Sequence, residues 1–189
     1  APAAGSDTII VTATKRAQTL QETPVSVSVT TGETLERAEI RDLLDLQTVA
    51  PSLRVSQLQS SANTTFFIRG FGNGANNVGV EPSVGVFIAG VYRSRSGSAL
   101  SELGPLDRVE ILRGPQGTLG GRNASAGLIS LYTAPPEFEF SGYGAFTYGN
   151  YDAIKVEGGV NAPFSDTIAA RVDGVYFKRD GFYNDVVNN

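Results

Sequence analysis

Residues 154–162 read Ile154-Lys155-Val156-Glu157-Gly158-Gly159-Val160-Asn161-Ala162. Apolar side chains hold the even positions at both ends, while charged and polar ones hold odd positions. A period of two is that of a strand with one dry face and one wet face. The pattern continues outward in both directions. Phe138, Phe140, Phe146 and Tyr148 precede it on even positions. Ile168, Ala170, Val172 and Tyr176 follow on even positions, with Arg171 and Asp173 between them. Pro163-Phe164-Ser165-Asp166 reads as the tight turn before the last segment. Alternating segments of about ten residues, joined by short turns and carrying aromatics near their ends, are the mark of an outer-membrane barrel. A hairpin sheet on a small soluble core gives the same alternation. A membrane barrel needs at least about eight strands, and open sheet edges are not tolerated in lipid. The stretch is therefore either the trailing meander of a soluble α+β domain or the front of a longer barrel.

Upstream of Pro135-Pro136 the pattern is mixed. Residues 1–6 read as a flexible tail, and 7–13 as a short β-prone run. Residues 23–30 alternate valine with hydroxyl residues, which predicts a strand with Val25, Val27 and Val29 on the core face. Thr30-Thr31-Gly32-Glu33 has capping-box spacing and opens a helix burying Leu35, Ala38 and Ile40. Asp42 caps a second helix over 43–50, stopped by Pro51. Strands are expected over 65–69, 83–92, 109–113 and 127–133, the second of them continuous and buried on both faces. The sum is a small mixed sheet with two short helices.

Composition removes several classes of function. The 189 residues include 22 glycines, and only 18% are charged, against about 25% in an ordinary soluble domain. A net charge of −4 argues against a nucleic-acid partner. Without Cys or His there is no disulfide, no Cys/His zinc site and no His-dependent catalysis in this stretch. The absence of Met implies a start that is processed or cut, and no signal-peptide pattern is present. The most apolar run, 84–92, is far short of the roughly 20 residues of a membrane helix. No lysine lies between Lys15 and Lys155, so all the basic residues of 61–135 are arginines, which hold fixed, forked ion pairs better than lysine does.

Five segments, in order, carry a resemblance. They are Thr23-Pro24-Val25-Ser26-Val27, Val49-Ala50-Pro51-Ser52-Leu53, Ile68-Arg69-Gly70-Phe71-Gly72, Val86-Phe87-Ile88-Ala89-Gly90-Val91-Tyr92, and Leu112-Arg113-Gly114-Pro115-Gln116-Gly117-Thr118-Leu119 with Gly121-Arg122-Asn123-Ala124-Ser125-Ala126-Gly127. Together they resemble the plug domain of TonB-dependent outer-membrane receptors. The resemblance implies an α+β plug followed by antiparallel strands of an incomplete outer-membrane barrel. The expected division is 1–22 as a tail, 23–135 as the plug and 136–189 as the first barrel strands. The complete barrel would have about 22 strands around a plugged lumen.

The same resemblance implies active transport of a scarce nutrient, such as a ferric siderophore or an oligosaccharide, across a Gram-negative outer membrane. The energy-transducing partner would be TonB, outer-membrane lipid would surround the barrel, and no cofactor or resident metal is implied. Asp7, Thr8, Ile9, Ile10, Val11 and Thr12 resemble the TonB-binding box. A flexible β-prone tail suits that role, because it can add a strand to a partner's sheet through main-chain hydrogen bonds. A short edge strand of the plug is the other reading of these residues. Arg69, Arg113 and Arg122 match positions that contact carboxylates of the barrel wall, the alternative being ion pairs within the plug to Glu110 or Asp107. Gln59, Ser60, Asn63, Asn73, Asn76, Asn77, Arg93 and Arg95 would stand on ligand-facing loops.

Other classes fare worse. Residues 70–74 lack the third glycine of a dinucleotide fingerprint, and 114–122 lack the Lys-Ser/Thr of a P-loop. No nucleophile constellation or metal cluster supports an enzyme, and only a carboxylate pair such as Glu102 and Asp107 is left for one. A TonB-dependent signalling receptor would carry a further domain ahead of Asp7, where only six residues stand. A soluble plug-like binding module is the remaining alternative.

Overall fold

A computed structural model describes residues 10–12, 18–40, 42–58, 64–73, 80–94 and 105–181. The chain divides into two compact units, Ala1–Ser101 with Leu106–Thr133, and Glu102–Pro105 with Ala134–Asn189.

The first unit is built on a five-stranded mixed sheet. Its strands are β3 (Val27–Thr31), β6 (Val84–Ile88), β7 (Val91–Arg93), β8 (Leu106–Arg113) and β9 (Gly127–Thr133), in the order β3-β8-β9-β6-β7. All neighbours are antiparallel except β6 and β9, which run parallel. Beside this sheet lie a hairpin of β4 (Leu53–Gln57) and β5 (Thr64–Ile68), and a two-residue pair of β1 (Ile10–Val11) and β2 (Gln18–Thr19). Side chains alternate across a strand, so β8 has two faces with different work. Val109 and Ile111 lie on one face, each 1% exposed, and Arg108, Glu110 and Leu112 on the other. Val25, Val27 and Val29 were expected to face the core. They do so, half-buried against the core cluster of Val11, Leu112, Ala124 and Leu128. The N-terminal strand supplies Val11 to that cluster.

The first expected helix begins where the sequence places it and the second begins two residues later, at Asp45; both are shorter than expected. Thr31 caps α1 (Gly32–Arg37), accepting a hydrogen bond from the Thr34 amide at 3.4 Å. Leu35 is buried, but Ala38 is exposed because Glu39 turns to positive φ and ends the helix. Asp42 accepts from the amides of Leu44 and Asp45 at 2.7 and 3.0 Å. The helix it starts is a single 3-10 turn over Asp45–Thr48, not an α-helix over 43–50. The buried Leu43 and Leu46 are three residues apart, the repeat of a 3-10 turn, and Pro51 leaves no room for further turns. A four-residue helix, α2 (Gly117–Gly120), stands within the glycine-rich stretch 114–122.

The run 83–92 is not one strand. It is the hairpin β6–β7, reversed at Ala89-Gly90 with φ of 48° and 77°. Two consecutive positive φ values are what a two-residue hairpin turn needs to match strand twist. Gly90 accepts this freely, and Ala89 carries the strain. Val91 is consequently 57% exposed on an edge strand, not buried on both faces.

The second unit is the antiparallel sheet β10 (Ser141–Gly149), β11 (Ala153–Ser165) and β12 (Ile168–Lys178). Register places Phe146, Val156 and Tyr176 in one cross-strand row and Val160 beside Val172 in another. All five are exposed, Phe146 by 68% and Val172 by 74%. The odd face carries Lys155 paired with Glu157 at 2.9 Å, and Arg171 forked onto Asp173 and above the Tyr143 ring. Among the described residues the sheet is an open one of three strands, not a closed barrel. Among the described residues no helix is long and apolar enough to cross a membrane.

Asn161 is the exception on this sheet, at 3% exposure. Its Nδ2 donates to the carbonyls of Glu137 (2.8 Å) and Glu139 (2.5 Å), and its Oδ1 accepts from the Glu137 amide at 2.9 Å. The side chain thus imitates a peptide group and ties 137–139 to the strand. Asn161→Asp turns both donations into a carboxylate facing two carbonyls. An unmade buried hydrogen bond costs about 1–3 kcal/mol, and more when charged. Denaturant unfolding should show Asn161→Asp less stable than Asn161→Ala, and Ala less stable than wild type. Equal midpoints for the three would remove the tie from the account.

Candidate functional site

Of the residues that resemble a TonB-binding box, Asp7, Thr8 and Ile9 lie outside the described residues. Ile10–Thr12 are docked on the first unit. Ile10 and Val11 pair with Thr19 and Gln18. Alternation turns Ile10 outward, 55% exposed, and Val11 inward, fully buried. Ile10 and Val11 thus stand as a short strand of the first unit, as the edge-strand reading has it.

Thr12 continues the attachment by polar means. Its amide donates to Glu110 Oε1 at 3.0 Å, and its hydroxyl lies 3.4 Å from the same oxygen. Arg108 closes the group. Its Nε donates to Glu110 Oε1 at 2.8 Å, one terminal nitrogen to Thr12 Oγ1 at 3.2 Å, and the other to Asp107 at 2.5 Å. The guanidinium also sits 4.0 Å from the centre of the Tyr132 ring, a cation–π distance. Burial works against its charge, yet hydrogen bonds to Glu110 and Asp107 hold its pKa above the ordinary arginine value. Glu110 has no exposed surface, and its second oxygen, Oε2, is buried without a partner among the described residues. Beside this group a cavity of about 180 Å³ is lined by Thr12, Phe87, Leu112, Leu128, Ser130 and Tyr132.

Glu110 and Asp107 are therefore taken by Arg108 and not by the arginines singled out from the sequence. Arg69 and Arg113 come together elsewhere. Arg69, at φ 53°, donates to the hydroxyl of Ser26 at 3.2 Å, and Arg113 Nε donates to the same oxygen at 3.0 Å. Among the described residues no carboxylate pairs with either. Arg122 is apart from them, 3.5 Å from Glu81 in a mostly exposed ion pair within the unit.

The expected ligand-facing residues are mostly beyond description, since Gln59, Ser60, Asn63, Asn76, Asn77 and Arg95 lie outside the described residues. Asn73 is used internally, donating to the Glu81 carbonyl and accepting from the Ser83 hydroxyl. Arg93 ends β7, with its Nε buried and unpartnered among the described residues.

The sequence reading named Glu110 only as a possible partner of Arg69, Arg113 or Arg122, and did not single out Arg108, Ser26 or Asn161. Glu110 had a visible signal, a lone carboxylate inside the apolar run Val109-Glu110-Ile111-Leu112. A charge there is buried only if it is paired.

The family model described as TonB-dependent Receptor Plug Domain matches residues 19–128. The ferripyoverdine receptor of Pseudomonas aeruginosa is 28% identical over 92% of this chain and 21% of its own length. The vitamin B12 transporter BtuB of Vibrio vulnificus is 30% identical over 94% of this chain and 28% of its own length. Among solved structures, the ferric yersiniabactin uptake receptor FyuA from Yersinia pestis aligns with a TM-score of 0.71 at 26% identity, over 80% of this chain and 24% of that one. The pyoverdine outer membrane receptor FpvA from Pseudomonas aeruginosa aligns with a TM-score of 0.76 at 24% identity, over 96% of this chain and 26% of that one, a likeness of fold. The chain spans about a quarter of the length of the relatives it matches, and those relatives are receptors and transporters, not enzymes. A sheet unit carrying the five motifs in order, with a family match over most of it, places this chain in the TonB-dependent receptor plug family, among the receptors of the Gram-negative outer membrane.

Proposed function

We propose that the chain is the plug and the opening barrel strands of a TonB-dependent importer, with residues 1–22 as the tail, 23–135 as the plug and 136–189 as the first strands. The observation that carries this reading is the second unit's apolar face. Phe146, Val156, Val160, Val172 and Tyr176 are exposed together on one side of an antiparallel sheet whose other side is charged. A soluble protein rarely leaves so continuous an apolar face in water, whereas a barrel wall turns that face to lipid.

In this reading Asp7–Thr12 bind TonB by adding a strand to its sheet. Arg69 and Arg113 face carboxylates of the barrel wall, which supplies the anionic partner both lack among the described residues of the first unit. The cargo is a scarce nutrient, ferric siderophore before any other, since several relatives are named for siderophores. The outward loops, with Asn76, Asn77, Arg93 and Arg95, meet it first, and arginines there suit an anionic chelate. Gating of the lumen by the plug follows from force on the N-terminal segment and not from chemistry in this chain.

The test is the intact mass, under denaturing conditions, of the protein extracted from its native membrane. A mass several-fold above 19.9 kDa is expected. A mass near that value with no second chain co-purifying leaves no barrel, and a soluble plug-like module takes the importer's place.

A further inference from the structure

Glu110 is a buried carboxylate for which the importer reading has no use. It sits on β8, the strand enclosed between β3 and β9, opposite Val29 and Ser130. Its Oε1 gathers three donors, the Thr12 amide, the Thr12 hydroxyl and Arg108 Nε, while Oε2 has none among the described residues. Two of the three donors belong to a residue 98 positions away in sequence, at the end of the N-terminal strand. Arg108 binds both members, Glu110 and the Thr12 hydroxyl, so the three side chains form one connected set, with Asp107 holding the far side of the guanidinium.

We propose that Glu110, braced by Arg108, is the latch that holds the N-terminal strand on the plug and sets how readily that strand becomes available to its partner. This deepens the reading of residues 7–12 as the TonB-binding segment and rests on it.

The sign follows from where the carboxylate lies. Neighbouring strands and Arg108 flank Glu110 whether or not the N-terminal strand is docked, so much of its desolvation is a property of the sheet. Docking then adds two donors to an acceptor that is already charged and already braced, and charge-assisted hydrogen bonds are about twice as strong as neutral ones. Lifting the strand takes those donors away and lets water reach both oxygens, including the one left bare. The latch therefore holds without being rigid, because hydration of Glu110 offsets part of the lost bonding on release. Val11 adds an apolar plug to the same strand, but an apolar contact does not discriminate by charge, and Glu110 does.

The experiment uses the full-length receptor in lipid bilayers, with a nitroxide on a cysteine replacing Ile10, a position already exposed. The mobile fraction of the label reports the undocked strand. Glu110→Ala should raise the undocked-to-docked ratio on the order of tenfold, the scale of one orphaned buried donor. Glu110→Gln, which keeps an acceptor oxygen, should restore part of the docking. Thr12→Val keeps the amide and the branched shape while removing the hydroxyl, and it should raise the ratio less. The double variant Thr12→Val, Glu110→Ala should show less than the product of the two single effects, because both remove bonds of one set. A mobile fraction equal to wild type in Glu110→Ala overturns the latch, and so does strict multiplication in the double variant. Disulfide capture of the same cysteine by a cysteine-bearing TonB periplasmic domain separates the two readings. Failure of capture in wild type and in Glu110→Ala alike defeats the TonB-binding assignment, and the spin label still decides whether Glu110 holds the strand. Capture that rises in Glu110→Ala supports both.

Discussion

A receptor carrying Ile10→Pro loses nutrient uptake while its plug stays folded. Proline removes the amide of residue 10 and fixes φ near −65°, so the residue can no longer donate in a strand ladder. If TonB takes the segment by strand addition, main-chain hydrogen bonds carry the binding, and one lost donor in so short a strand breaks the ladder at its centre. The plug has little at stake in residue 10. Its side chain is 55% exposed, and it belongs to a two-residue strand at the margin of the unit. The expected loss is at least a hundredfold in radio-iron uptake from a panel of ferric siderophores, with an unchanged thermal transition of the plug. Ile10→Ala keeps the amide and should retain most uptake. Normal transport by the proline variant would refute the assignment, and a collapsed thermal transition would show that β1 is structural before it is anything else.

How much of this could be read from the sequence depended on the range of the interaction. The strands of the second unit were legible because period two is local. Val156 and Val172 announce their face without knowledge of any partner. The caps at Thr31 and Asp42 were legible for the same reason, since a cap and its helix lie within a few residues. What followed the caps was only partly so: Pro51 reads as a stop, but nothing local announces that Glu39 takes positive φ or that the second helix is a single 3-10 turn. The β6–β7 hairpin was hidden by its apolar flanks. Ala89 gives no hint that it will take a left-handed conformation, and Gly90 alone reads equally well as a small residue in a buried strand. The site was least legible of all. Thr12 meets Glu110 across 98 residues, and Ser26 meets Arg69 and Arg113 across 43 and 87. No local pattern encodes such pairings. The sequence could mark Arg69 and Arg113 by motif, but only the fold brings both to one hydroxyl.

That convergence leads to the second large effect. Two guanidinium groups that share the Ser26 oxygen, with no carboxylate of the first unit beside them among the described residues, repel each other unless an anion is supplied. On the proposed architecture the barrel wall supplies it. Arginine suits the task because its fork holds two oxygens at once and it stays charged. Arg69 is exposed and Arg113 half-buried on the first unit, so the burial would come from the wall; where the wall buries the pair, removing one partner strands the other charge at about 3–5 kcal/mol. Arg113→Ala should therefore loosen the plug within the barrel by an energy of that order, and Arg69→Ala should do the same. The double variant should lose less than the sum, since the two groups answer one shared anionic partner and one serine. Ser26→Ala should fall well short of either, because it removes a neutral hydrogen-bond acceptor and leaves both charges to the wall. Calorimetry of the plug transition in the full-length receptor measures the ranking. Outer-membrane entry of vancomycin, which is too large for a sealed barrel, gives an independent reading of plug retention. If the arginine variants melt and seal like wild type, the pair holds the plug's own strands together and nothing more. If Ser26→Ala is as damaging as the double arginine variant, the hydroxyl and not the wall is what the two cations serve.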